Sequence, residues 1–314
     1  MEYRRVGQSG LKVSEIALGS WMTYGASVDD GRAEKCVRAA LDAGVIFYDT
    51  ADIYNKGEAE KVLGKILSGE KRSDLVIATK AFWPMSDNPN DRGLSRKHLF
   101  ESLHKSLKRL KTDYVDLYQC HRFDPDVPVA ETVRAMDDLV RQGKTLYWGV
   151  SCWDENQIAD ALRICDETGA ARPISNQPEY SLVNRHIEPA ILPLCDREGL
   201  GQVAFSPLAE GLLTGKYRGG KTPDGSRASH ERYGQFLRPK MTDENLARVD
   251  RLAVIADGLG MSLPVMALAW ALRNPGVDSV IIGATKPDQV RENVKAAGVT
   301  LEPSVLEKIE AALK

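Results

Sequence analysis

The chain has 314 residues and a formal charge of -2, with 43% hydrophobic and 27% charged residues. That balance is ordinary for a globular protein of a size able to bury a large core. It gives no sign of a nucleic-acid partner, and the short basic cluster Lys105, Lys108, Arg109, Lys111 reads as a solvated helix face.

Taken in chain order, residues 3–13, around Gly7-Gln8-Ser9-Gly10, read as a β-hairpin. Short apolar runs of the kind found in strands buried on both faces follow at 16–18, 46–48, 75–79, 114–119, 145–150, 174–177, 203–205 and 277–282. Amphipathic stretches separate them. Ala33, Val37, Ala40 and Leu41 share one helix face. So do Leu99, Leu103, Leu107 and Leu110, behind the candidate cap Ser95, and so do Val133, Met136 and Val140. A Gly-, Lys- and Arg-rich insertion occupies 208–239, and a last helix carries Val305, Ile309 and Leu313. Eight strand-then-helix units predict an α/β fold, a (β/α)₈ TIM barrel formed as a single domain over residues 1–314. The N-terminal β-hairpin would plug its floor, and the long loop after strand seven would lie outside the repeat.

The five cysteines show no CxxC pair and are odd in number, against a disulfide framework or a thiolate zinc site. The five histidines show no paired spacing with acids, so no metal is expected. The opening MEYRRVGQSG lacks the apolar stretch of a signal peptide. No apolar run approaches the roughly 20 residues that span a bilayer. The expectation is a cytoplasmic protein without membrane insertion.

In such a barrel the strand ends collect at one mouth, where these folds keep their sites. Strand two ends in Asp49, strand three in Lys80, and strand four runs into His121. Each alone has an ordinary explanation, since an Asp after a strand caps helices and a Lys or His there is commonly solvated. All three after consecutive strands make a candidate site. Tyr54, five residues past Asp49, would lean back over the mouth. A phenol with a reference pKa of about 10 is a poor acid at neutral pH. Lys80 is expected to lower it, Asp49 to hold Lys80, and His121 to orient a carbonyl oxygen. No side chain can supply a hydride, so a cofactor is required. Gly258-Leu259-Gly260 fails as a dinucleotide fingerprint because it ends a helix. Residues 215–222 match a phosphate-loop pattern by letter, but Pro223-Asp224-Gly225 follows at once, which is turn chemistry. Lys216, Lys221 and Arg227 could still cover an anionic cofactor. Gly283 and Lys286, opening a helix after strand eight, suit a phosphate.

These residues resemble the aldo-keto reductases over essentially the whole chain. The likeness rests on Asp49-Thr50-Ala51-x-x-Tyr54, Thr79-Lys80, His121, Gly149-Val150-Ser151, Asn176-Gln177-x-x-Tyr180, Phe205-Ser206-Pro207-Leu208-Ala209 and Gly283-Ala284-Thr285. The segments 4–11, 93–98 and 226–229 look like the branch that holds voltage-gated potassium-channel β-subunits. The resemblance implies Asp49, Tyr54, Lys80 and His121 as a catalytic tetrad and NADP(H) as cofactor. It implies a nicotinamide stacked on Phe205, with its carboxamide at Ser151 and Gln177. Ser206, Pro207, Leu208, Ala209 and Gly211, with Lys216 and Arg227, would cover the pyrophosphate. Gly283, Thr285, Lys286, Gln289, Glu292 and Asn293 would hold the adenosine end. Ser20 and Trp21 would line the cleft beside the cofactor.

Cys152 stands where the family commonly has Asn at the carboxamide, and is expected as a small buried thiol. Cys120 should point away from the pocket by strand alternation. Trp21, Tyr24, Tyr54, Phe82, Trp83 and Trp153 would form an aromatic substrate cup. Animal channel β-subunits carry Asn at the place of His121, so His121 favours a reductase of small carbonyl substrates. The alternative is an NADP(H)-binding regulatory protein like the channel β-subunits. Members of that branch are often tetrameric, which makes a homo-oligomer an expectation from resemblance alone.

Overall fold

The computed structural model describes residues 1–25 and 28–314. Its parallel strands Ile16–Gly19, Phe47–Asp49, Val76–Ala81, Val115–Cys120, Thr145–Ser151, Ser175–Gln177, Gly201–Phe205 and Val277–Gly283 pair in sequence order, and the last closes on the first. The eight-stranded barrel with surrounding helices is therefore as expected. Side-chain alternation sorts the strands into two layers. Ala17, Phe47, Val76, Ala78, Leu117, Val203 and Ile281 fill the barrel interior. Their neighbours Ile16, Leu18, Tyr48, Ile77, Tyr118, Ala204, Val280 and Ile282 pack under the helices. Cys120 belongs to this outer layer, turned from the mouth.

Strands Tyr3–Arg5 and Lys12–Ser14 pair antiparallel, and Val6 and Val13 close the floor against the inner cluster. Gly7 makes the turn with φ +53°, and a Cβ there would lie 2.2 Å from the Gly199 carbonyl oxygen, so only glycine fits. Arg4 ties the hairpin to the barrel through the Leu272 and Val277 carbonyls and Glu15.

Helix Arg96–Leu110 starts at Ser95, whose hydroxyl accepts from the His98 N–H. It buries Leu99, Leu103, Leu107 and Leu110. In Asp30–Asp42 the buried face is Ala33, Val37 and Ala40, with Leu41 only half-buried. In Val129–Arg141 Leu139 takes the buried place expected for Val140.

The insertion at 208–239 is folded. Short turns at Ala209–Thr214, Arg218–Gly220 and Arg227–Ser229 lead into helix Glu231–Leu237. Leu212, Leu213, Tyr217 and Leu237 are buried, and these scattered apolar anchors hold a segment too glycine-rich for one long helix. A 3₁₀ turn, not a strand, leads into 215–222 and no α-helix opens directly after it, so its phosphate-loop lettering has no structural counterpart. Among the described residues no single helix is long and apolar enough to cross a membrane. Helices Asp243–Gly258 and Leu263–Leu272 qualify only together, bend by 93°, and the second is buried at every position but Pro264.

Asp278, on the floor side of the last strand, accepts the Gly7 N–H at 2.9 Å. Burial pushes its carboxyl up to about 7, against the pull of the Gly7 hydrogen bond and Arg4. A folded pKa above the unfolded value means the associated stability is full at low pH and is lost as pH rises through 7. Asp278→Asn keeps the acceptor and removes the charge. It is expected to raise stability by about 1–3 kcal/mol at pH 8, with a smaller gain at pH 5. Urea unfolding at the two pH values checks this, and an equal effect at both would refute it.

Candidate active site

Four strand ends and one loop build the site. Asp49 and Lys80 lie on neighbouring strands, paired in register as Asp49 with Ala78. The Lys80 ammonium is fully buried. It donates to Asp49 Oδ1 at 2.6 Å, the Thr50 carbonyl at 2.7 Å and Tyr54 Oη at 3.3 Å. An ammonium has three donors, and all three are used. The other Asp49 oxygen accepts from Gln177 Nε2 at 2.9 Å. The loop after Asp49 is held down by Thr50 N–H on Ala78 and Asp52 N–H on the Lys80 carbonyl. It then turns through left-handed Asn55 and Lys56, which swings Tyr54 back over the mouth. His121 follows strand four, its ring 5.7 Å from that of Tyr54 and edge-on to it.

The ionisation of Tyr54 differs from the sequence expectation. Burial raises the phenol above its ordinary value, and the opposing pull of Lys80 does not cancel it. Lys80 itself is pulled down by burial, but Asp49 and Tyr54 bring it above its usual value. His121 is held well below the usual imidazole range, first by burial, then by Lys80 and Arg122. At neutral pH the site therefore combines an ammonium, a protonated phenol and a neutral imidazole.

The site opens into a cleft of about 1330 Å³. Single small-molecule sites run to about 1,000 Å³, so there is space for a ligand larger than a simple metabolite. Trp21, Tyr24, Asp49, Tyr54, Trp83, His121, Ser151 and Gln177 line its inner part. Phe205, Ser206, Pro207, Leu208, Gly211, Lys216 and Arg227 line its middle. Gly283, Thr285, Lys286, Gln289, Glu292 and Asn293 line the far end. Arg227 is largely desolvated, which lowers its pKa, and makes no ion pair among the described residues. A half-buried guanidinium with no carboxylate in ion-pair contact suits an anion. The Gln289 side chain caps the Thr285 and Lys286 N–H groups of the short helix Pro287–Asn293.

Several expected site residues do not line this cleft. Trp153 is buried, edge-on to Phe123, inside the helical layer. Phe82 packs edge-on behind Trp83 against the core. Ser20 is buried and donates to the Thr50 hydroxyl, leaving Gly19 and Trp21 at the surface of the cleft. Ala209 is buried behind its neighbours. Cys152 is exposed, contrary to the buried thiol expected, because its φ of +53° turns the strand end outward. Direction after a strand end depends on where the next helix docks, and residue type does not report that.

Other cleft residues were missed. Lys240, from the turn Arg238–Lys240, pairs with both Glu179 and Glu210 and so joins the insertion's end to the loops after strands six and seven. Ser206 Oγ also donates to Glu210 at 2.7 Å. Ser206, Ala209 and Glu210 all have φ near +50°, a strained cluster for non-glycine residues. Phe236 meets the Trp21 ring at 5.3 Å. Arg122 adjoins His121 and Trp83. The Arg after His121 was the one available signal among these. Among the described residues no group of three His, Cys, Asp or Glu side chains is placed to hold a metal ion.

The Aldo/keto reductase family profile matches residues 15–314. A protein of Oryza sativa subsp. japonica, named a probable voltage-gated potassium channel subunit beta, is 46% identical over all of this chain and 97% of its own length. An Arabidopsis thaliana protein of the same name is 44% identical with the same coverage. A putative voltage-gated potassium channel subunit beta of Schizosaccharomyces pombe is 42% identical over 99% of this chain and 93% of its own length. Barrel, strand-end residues and these matches along the whole chain agree, and the chain belongs to the aldo/keto reductase family.

Proposed function

We propose that this protein is an NADP(H)-dependent reductase of aldehydes and ketones. The observation that carries the reading is the buried Lys80 ammonium fastened to Asp49, Thr50 and Tyr54 at the bottom of an open cleft. A bound nicotinamide cofactor would supply the hydride. Ser151 and Gln177 would hold its carboxamide end, Phe205 would back the ring, and Lys216, Arg227 and Lys286 would face its phosphates. Neutral His121 donates an N–H to the substrate carbonyl oxygen and orients it. Tyr54, still protonated at neutral pH, gives its proton to that oxygen. Lys80 stabilises the phenolate left behind, and Asp49 fixes Lys80. The cytoplasm and a homo-oligomeric assembly fit this reading.

Absorbance at 340 nm with NADPH and a panel of aromatic and short-chain aldehydes tests it. Steady oxidation that depends on the aldehyde is expected, and NADPH binding without turnover on any of them would overturn it. The names of the relatives favour a second reading, a cofactor-binding regulatory subunit of a voltage-gated potassium channel. That reading expects tight NADPH binding, negligible turnover and co-purification with a channel from detergent-solubilised membranes.

Lys240 bears on cofactor residence under either reading. Lys240→Met would leave the Glu179 and Glu210 carboxylates without their shared cation and loosen the strained turn at Ser206. NADPH release is expected to speed up by about tenfold, the equivalent of about 1.4 kcal/mol. Stopped-flow NADPH fluorescence reads the rate, and an unchanged rate would show that the triad does not restrain the ligand.

A further inference from the structure

Arg122 is the cation of the cleft that neither the fold nor the expected cofactor explains. It is partly buried and lines the inner end, beside Trp83, His121 and Ser151. One terminal nitrogen, Nη1, donates to the His121 carbonyl at 2.5 Å and lies 3.5 Å from Ser151 Oγ. Among the described residues no carboxylate pairs with it, and its Nε and Nη2 make no hydrogen bond. Several other arginines and lysines at similar depth are paired: Arg72 with Asp116, Arg109 with Glu60, Arg185 with Glu188, Lys240 with two glutamates; Arg227, which is not, faces the middle of the cleft. Lys216, Arg227 and Lys286 line the parts of the cleft formed by the loops after strands seven and eight, where phosphates are expected. Arg122 follows strand four and sits at the reacting end.

We infer that Arg122 selects the substrate: it anchors the carboxylate of a carbonyl compound whose tail is flat. The Nε–Nη2 edge of a guanidinium matches a carboxylate with two parallel hydrogen bonds, a geometry that neutral tails cannot use. Part of the hydration of Arg122 is already removed by its surroundings, so pairing there gains more than it would in water. The spacer has a surface ready for it. The Trp83 ring is 39% exposed, lies 6.3 Å from the His121 ring, and has the Arg122 guanidinium 5.8 Å from its centroid. A planar tail running from His121 along Trp83 would bring its far end to the guanidinium. The substrate class is thus a carboxylate-bearing aldehyde or ketone with an aromatic or conjugated spacer. This inference rests on the cleft being the reductase site proposed above.

The test compares 3- and 4-carboxybenzaldehyde with their methyl esters in the native chain, Arg122→Met and Arg122→Lys. The native protein is expected to favour the better carboxylate over its ester by about tenfold in kcat/KM. Arg122→Met should remove that preference, mainly through KM for the acid. Arg122→Lys should restore part of it, since it keeps the charge and loses the fork. An acid-to-ester ratio that is near one in the native protein, or unchanged in Arg122→Met, would overturn the inference and leave the reductase reading intact. A second measurement is independent of turnover: quenching of tryptophan fluorescence by 4-(hydroxymethyl)benzoate and its methyl ester, with NADP⁺ present. Tighter binding of the acid to the native protein, lost in Arg122→Met, supports the anion site even where no aldehyde is reduced. Equal binding of acid and ester to the native protein refutes it.

Discussion

Tyr54→Phe is expected to lower kcat for aldehyde reduction by about 10²–10⁴-fold, the span of general-acid contributions, while NADPH binds nearly as before. The substitution removes one oxygen atom. That oxygen accepts from Lys80 at 3.3 Å, and the Tyr54 ring lies 5.7 Å from that of His121 in the inner cleft. The ring keeps its place because the turn through Asn55 and Lys56, which positions it, is untouched. Lys80 keeps its two shorter contacts, to Asp49 and Thr50. The readouts separate cleanly: turnover at 340 nm falls, and the Kd for NADPH by fluorescence titration stays within about threefold. Loss of NADPH binding instead would place Tyr54 in cofactor retention and remove it as proton donor. The pH profile adds a sign. Burial holds the phenol above its ordinary value, so the native rate should be level through neutrality and fall only on the alkaline side, as the donor ionises.

Lys80→Met is expected to do two kinds of damage. Removing the cation leaves Asp49 buried with an oxygen that has lost its partner, a loss of about 3–5 kcal/mol by analogy with broken buried ion pairs. It also removes the chief pull holding the Tyr54 phenol down against burial. The phenol becomes a weaker acid and kcat falls with it. Urea unfolding and turnover measured together check both. The double variant Asp49→Asn with Lys80→Met resolves them, because it removes the stranded charge without restoring the acid. Its stability should recover most of the loss while turnover stays low. A double variant as unstable as Lys80→Met alone would show that the packing of the lysine stem, and not the charge pair, is what the fold needs.

The barrel was legible because its signal is local. Runs of β-branched and apolar residues between amphipathic stretches set each strand to within a few residues, from 16–18 against Ile16–Gly19 to 277–282 against Val277–Gly283. Strand ends share one mouth whatever the details, so Asp49, Lys80 and His121 could be brought together from chain order alone. The hairpin at the floor was legible from its turn residues, Gly7-Gln8-Ser9-Gly10.

What lay beyond the chain's local pattern was decided by contacts between distant segments. Residue type suggested that Lys80 would set the acidity of Tyr54; the desolvation of the phenol by its surroundings reverses the net direction. Six aromatic residues stood near strand ends, and the docking of helices behind them sent Phe82 and Trp153 into packing while Trp21 and Trp83 stayed at the cleft. Cys152 emerged at the surface through a left-handed turn. The insertion's fold, and with it the meeting of Lys240 with Glu179 and Glu210 across 61 and 30 positions of sequence, had no periodic signal. A strand's alternation fixes which way its side chains point, but a loop's side chains take their direction from what they happen to pack against, and that is settled only when the whole barrel closes.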